Sequence, residues 1–82
     1  MSLRATLYAK PGCHLCEQAL GELERLRRRY PHELQVVDIS ADAELTRRYG
    51  ERIPVLNIAG HESEAPLSAA VLERALRRAN AS

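Results

Sequence analysis

The sequence has no tryptophan, no phenylalanine and only three tyrosines, Tyr8, Tyr30 and Tyr49. The aromatic platforms on which many single-strand nucleic-acid binders stack bases therefore cannot be built. Only two cysteines occur, three positions apart, which excludes a framework of several disulfides. No apolar run approaches the roughly 18 residues of a membrane span. The first residues lack the basic stretch followed by about 7–15 apolar residues of a secretory signal, so a cytoplasmic location is expected. Net charge is also close to absent: twelve basic residues against eleven acidic ones leave +1, which gives no global field to attract nucleic acid, a membrane or an acidic partner.

The remaining composition is that of a folded domain. Of 82 residues, 45% are apolar and 28% charged, close to globular averages, so a single domain spanning residues 1–82 with an aliphatic core is expected. Residues 3–8 alternate Leu3, Ala5, Leu7 with Arg4, Thr6, Tyr8, the period of a strand, before Lys10-Pro11-Gly12 breaks the pattern. From Cys13, the residues Cys16, Ala19, Leu20, Leu23, Leu26 and Tyr30 recur at helical spacing up to Pro31. Val36, Val37 and Ile39 suit a strand buried on both faces. A second helix follows, with Ser40 as its expected N-cap and Gly50 at a left-handed C-terminal position.

Residues 53–58 read as a third strand with Pro54 near its start, and Ala59-Gly60 turns the chain into a short edge strand over residues 61–64. Ser68 caps a last helix with Val71, Leu72, Ala75, Leu76 and Ala79 on its apolar stripe. The order of elements predicts an α/β fold: a central sheet with helices packed on it, parallel wherever a helix joins neighbouring strands.

Chemistry is concentrated in Cys13-His14-Leu15-Cys16, at the junction of the first strand and first helix. Two sulfurs one helical turn apart can close a readily reducible disulfide, and so small a loop stabilises the chain little. Cys13 lies at the helix N-terminus, where unpaired N–H groups favour a thiolate, so Cys13 is the expected nucleophile. Lys10 and protonated His14 add positive charge and Glu17 opposes it. Cys16, further into the helix, is the expected resolving thiol. A zinc site drawing on Cys13, Cys16 and two of His14, His32 and His61 is the competing use, although the histidines lack zinc-ligand spacing. Arg25, Arg27, Arg28 and Arg29 crowd the end of the first helix, where cations complement its dipole. Glu62 and Glu64 read as protection of a sheet edge.

The segment Leu7-Tyr8-Ala9-Lys10-Pro11-Gly12-Cys13-His14-Leu15-Cys16 resembles the active-site segment of glutaredoxins within the thioredoxin-like superfamily. Arg52-Ile53-Pro54-Val55-Leu56 resembles the superfamily segment whose proline is cis and sits opposite the cysteines. Nearly the whole chain fits. The resemblance implies a thioredoxin-like fold, three-layer α/β/α, with a mixed sheet of three to four strands and three helices. It implies a thiol–disulfide oxidoreductase with Cys13 as nucleophile and Cys16 resolving. Lys10, His14, Leu15, Ile53 and Pro54 then form the substrate-binding set, the backbone of Ile53 pairing with an extended substrate.

Two departures separate the chain from thioredoxins: Leu7 stands where they carry a buried acid, and Gly12 where they carry tryptophan. A third separates it from glutaredoxins, since Glu62-Ser63-Glu64-Ala65-Pro66 replaces the paired glycines and aspartate that help hold glutathione. No tightly bound cofactor and no metal is expected. Glutathione is a candidate co-substrate, and glutathione or a thioredoxin-type reductase the candidate electron source for a monomer acting on a disulfide-bearing protein or small thiol. The alternatives are a metal or iron–sulfur binding module using the two cysteines, and an interaction adaptor docking through its arginine-rich helix ends.

Overall fold

The structure, a computed structural model, describes residues 3–81. Strand β1, Leu3–Ala9, buries Ala5, Leu7 and Ala9 on one face, as its alternation predicts. Helix α1, His14–Leu26, crosses back to β2, His32–Asp38, which pairs parallel to β1 from Leu3↔His32 to Ala9↔Asp38. A 3-10 turn, Ile39–Ala41, and helix α2, Ala43–Tyr49, lead to β3, Val55–Ile58, antiparallel to β1. Strand β4, His61–Glu64, folds back on β3. The turn between them places Ala59 and Gly60 at φ 53° and 87°, the left-handed pair that a two-residue hairpin requires. Helix α3, Ala69–Ala81, closes the chain, its first turn capped by the Ser68 hydroxyl accepting from Val71 N at 3.2 Å.

The strand order β2-β1-β3-β4 makes a mixed sheet with helices on both faces, a three-layer α/β/α fold of the thioredoxin-like kind. On one face, Ala19, Leu23 and Leu26 of α1 pack with Leu72 and Leu76 of α3 on Ala5, Leu7, Leu56 and Ile58. The smaller opposite core holds Ile39, Tyr49 and Val55, with Tyr8, Leu45 and Ile53 against them. There the Tyr8 and Tyr49 rings stack at 4.3 Å between centroids, so two of the three aromatics hold α2 to the sheet.

Four local expectations are corrected. Strand β2 is not buried on both faces: it lies at the sheet edge, and Val36 is 47% exposed. Asp42, not Ser40, caps α2: its carboxylate accepts from Glu44 N at 2.9 Å and Leu45 N at 3.1 Å, while Ser40 N donates to Asp38 within the 3-10 turn. Helix α1 ends at Leu26, so Tyr30 lies beyond it, its hydroxyl donating to Glu73 of α3 at 3.3 Å. Gly50 is right-handed, at φ −52°, and is needed for space: a β-carbon there would overlap the carbonyl oxygen of Thr46. Gly50→Ala should therefore destabilise the domain by roughly 1–3 kcal/mol, read as a lowered urea midpoint at unchanged slope. An unchanged midpoint would show that the α2 terminus relaxes freely.

Candidate active site

The cysteine loop leaves the C-terminal end of β1. Gly12 adopts φ 78°, a conformation that L side chains rarely take, and Cys13 N donates to Lys10 O at 3.3 Å. Cys13 is thereby delivered as the N-cap of α1 with an extended backbone, φ −87° and ψ 107°. Its Sγ accepts from Cys16 N at 3.2 Å, and its carbonyl accepts from Glu17 N at 3.0 Å. A sulfur in the capping position receives the N–H that an anion there would use, the arrangement that stabilises a thiolate. Cys13 and Cys16 are joined as a disulfide with their Cα atoms 5.2 Å apart. The two sulfurs are unequal: Cys13 is half-buried, whereas Cys16 is only 2% exposed beneath the first turn.

Around the pair, Lys10 and His14 are exposed and Leu15 is 52% exposed, an apolar side chain presented beside Cys13. His14 is engaged along the helix, its Nε2 3.2 Å from the Gln18 amide nitrogen, which donates to it. Antiparallel pairing of Tyr8 with Val55 brings the start of β3 to the end of β1, so Ile53 and Pro54 lie at the sheet end from which the cysteine loop departs. The Ile53–Pro54 peptide is cis and Pro54 is buried. Ile53 N donates to Tyr49 O at 3.1 Å, so its amide is already committed within the chain.

His32 and His61, the other histidines of a zinc set, start β2 and β4 at the opposite sheet end, His32 paired with Leu3 and His61 with Ile58. Among the described residues no group of three or more His, Cys, Asp or Glu side chains is placed to hold a metal ion. Nor is any helix among them long and apolar enough to cross a membrane.

Two features of this end of the molecule were not read from the sequence. The first is a cavity of about 260 Å³ between α1 and the end of β2, with Ala9, Cys16, Leu20 and Val36 in its wall and Lys10, Glu17 and Asp38 among its polar residues. Only the parallel register, which sets Asp38 beside Ala9, brings β2 to the cysteines. The second is the partnering of Glu62 and Glu64. Arg52 Nη2 donates to Glu62 at 3.0 Å and Arg52 Nε to Glu64 at 3.2 Å, while the Tyr49 hydroxyl donates to Glu62 at 2.7 Å. A single guanidinium is thus shared by the two carboxylates, whose charge it meets in part.

Hydrogen bonds from Tyr49 and then Arg52 hold the Glu62 carboxyl below its usual range, and the same bond with Glu62, aided by burial, pushes the Tyr49 hydroxyl up to about 12. The signs give a stability window. The lowered Glu62 contributes stability above its ordinary value of 4.5 that is lost as pH falls through the folded value. The raised Tyr49 contributes stability below 10.0 that is lost as pH rises towards about 12. Thermal melts across pH should fall away on both sides, and Tyr49→Phe should flatten the alkaline limb. An alkaline limb unchanged in that variant would contradict the assignment.

Comparison with known proteins agrees with this geometry. The family model described as Glutaredoxin-like domain (DUF836) matches residues 4–79. Among solved structures, the crystal structure of target protein XcR50 from X. campestris is similar, with 37% identity, a TM-score of 0.80, and coverage of 90% of this chain and 96% of that one. Protein Ne2328 from Nitrosomonas europaea, solved by solution NMR, shares 31% identity over 92% of each chain, with a TM-score of 0.77. A glutaredoxin from Brucella melitensis shares 25% identity, with a TM-score of 0.60, over 90% of this chain and 82% of that one. Among curated proteins none matches. With a cysteine pair at the start of α1, a mixed four-stranded sheet and a family match over nearly its whole length, the chain belongs to the glutaredoxin-like domain family of the thioredoxin superfamily.

Proposed function

We propose that the protein is a thiol–disulfide oxidoreductase acting on protein disulfides or glutathione mixed disulfides. The observation that carries the reading is the inequality of the sulfurs: a half-exposed Cys13 capping α1, joined to a Cys16 buried beneath it. In the dithiol form, the Cys13 thiolate attacks one sulfur of a substrate disulfide. A Cys13–substrate disulfide forms, the substrate S–S bond breaks, and the other substrate sulfur leaves as a thiolate that takes up a proton. Cys16 then loses its proton and attacks Cys13 Sγ. The second substrate thiolate departs and is protonated, and the Cys13–Cys16 disulfide forms. Two electrons have passed from the pair to the substrate. Glutathione or the dithiol of a reductase returns them.

Lys10 and the α1 N-terminus favour the anion at Cys13, Leu15 offers apolar contact, and His14 lies beside the attacking sulfur in sequence while bonded to Gln18. The committed amide of Ile53 alters the expected docking. A substrate strand pairing with Ile53 through its N–H must displace Tyr49 O, which leaves the backbone carbonyl as the group to engage first. The test is a single turnover: pre-reduced protein mixed with a glutathionylated peptide should release glutathione and lose both thiols together. Retention of both thiols after prolonged incubation with excess substrate would refute the reading.

A further inference from the structure

Arg52 immediately precedes Ile53 and Pro54, and it ties three elements together at that point. Its N–H donates to Tyr49 O at the end of α2 at 2.8 Å, and its carbonyl accepts from Ala65 N, just beyond β4, at 3.2 Å. Its guanidinium spans Glu62 and Glu64, successive residues on one side of β4, and sits 5.3 Å from the centroid of the Tyr49 ring. Tyr49 in turn stacks on Tyr8, two residues before the cysteine loop begins at Lys10. We propose that Arg52 is a positioning residue that fixes the Ile53–Pro54 segment relative to the cysteine loop, so that disulfides carried on an extended polypeptide are preferred over small ones.

This inference rests on the oxidoreductase reading and adds to it a residue that meets neither cysteine. Its physical basis is the sharing of partners. A guanidinium can hold two carboxylates and an aromatic face at once, in a fixed fork that an ammonium or amide cannot reproduce. Without it, Glu62 and Glu64 are neighbouring like charges on one side of β4, and of the two carboxylates Glu62 keeps the Tyr49 hydroxyl. The segment from Arg52 to Pro54 then loses its side-chain anchor to β4 while keeping its backbone bonds. A small disulfide needs only Cys13; an extended chain also needs the neighbouring backbone in register, where displacements of about 1 Å can cost up to ~10²-fold.

The experiment compares two disulfides carrying the same hydroxyethylthio group in single turnovers of pre-reduced protein. One is bis(2-hydroxyethyl) disulfide; the other is a linear peptide whose single cysteine bears that group. Arg52→Gln should raise the half-saturating peptide concentration about tenfold, with the maximal rate and the small-disulfide rate within about twofold of the parent. Glu64→Gln, which keeps the Glu62 arm, should give a smaller rise of the same kind, about threefold, and serves as the test should Arg52→Gln fail to fold. Arg52→Lys should restore charge balance but only part of the peptide preference. Equal losses on both disulfides, or an unchanged peptide dependence in folded variants, would overturn the positioning role. Parent protein inert towards both disulfides would instead overturn the oxidoreductase reading, and this inference with it.

Discussion

Replacing Cys13 with serine should reduce thiol–disulfide exchange by a factor on the order of 10³ or more, whereas replacing Cys16 should leave the first attack intact and halt the reaction halfway. The difference follows from position. Cys13 is only half-buried, and its Sγ occupies the cap of α1 and accepts the Cys16 N–H at 3.2 Å, the place where a helix N-terminus favours an anion. A serine hydroxyl in the same place holds its proton at neutral pH and is no substitute. Cys16 is a poor substitute in the attack, because it is only 2% exposed. In Cys16→Ser the Cys13–substrate disulfide has no internal thiol to resolve it, and the adduct should accumulate. Intact-mass measurement after mixing with a glutathionylated peptide reads both outcomes: no adduct in Cys13→Ser, and one stoichiometric adduct in Cys16→Ser. An adduct carried on Cys16 in the first variant would reverse the assigned roles.

The second large effect concerns stability. Leu23→Ala should cost roughly 2–5 kcal/mol. Leu23 is fully buried, in the core that α1 and α3 form on Ala5, Leu7, Leu56 and Ile58. Alanine is the best helix former, so the substitution leaves the propensity of α1 unharmed and isolates the lost packing. For a domain of this length, total stability is roughly 4–12 kcal/mol, so the loss is a large share of the whole. At about 4–8 °C per kcal/mol, the melting temperature should fall by at least about 8 °C. Because Leu23 lies on α1 two turns beyond the cysteines, the thiol–disulfide equilibrium of the folded variant should stay close to that of the parent. A fall of less than about 3 °C would mean that the neighbouring side chains close the cavity.

Elements whose signals are local were legible in the sequence. The alternation of residues 3–8, the Pro11-Gly12 break, the helical spacing after Cys13, the Ala59-Gly60 hairpin and the Ser68 cap each depend on neighbours a few residues away. What required the structure is set by long-range pairing. Val36, Val37 and Ile39 have the composition of an interior strand, yet strand order puts β2 at an edge, where Val36 is half exposed and joins the cavity beside Cys16. Ser40 and Asp42 are both good caps, and the 3-10 turn between β2 and α2 decides in favour of the second. The site divides in the same way. The cysteines, Lys10, His14, Leu15, Ile53 and Pro54 were legible as candidates from their segments and the resemblance those segments bear. The role of Arg52 was not, because its partners Glu62 and Glu64 come within reach only when the β3–β4 hairpin folds.

The central claim is that Cys13 and Cys16 form a reversible redox couple, and equilibration of the protein in defined glutathione buffers tests it most directly. Intact mass and thiol counting would follow the oxidised fraction as the ratio of reduced to oxidised glutathione changes. The expected result is a single two-electron transition between dithiol and intramolecular disulfide, lost in both Cys13→Ser and Cys16→Ser. A pair that stays wholly reduced or wholly oxidised across the accessible range, with no glutathione adduct at Cys13, would contradict it.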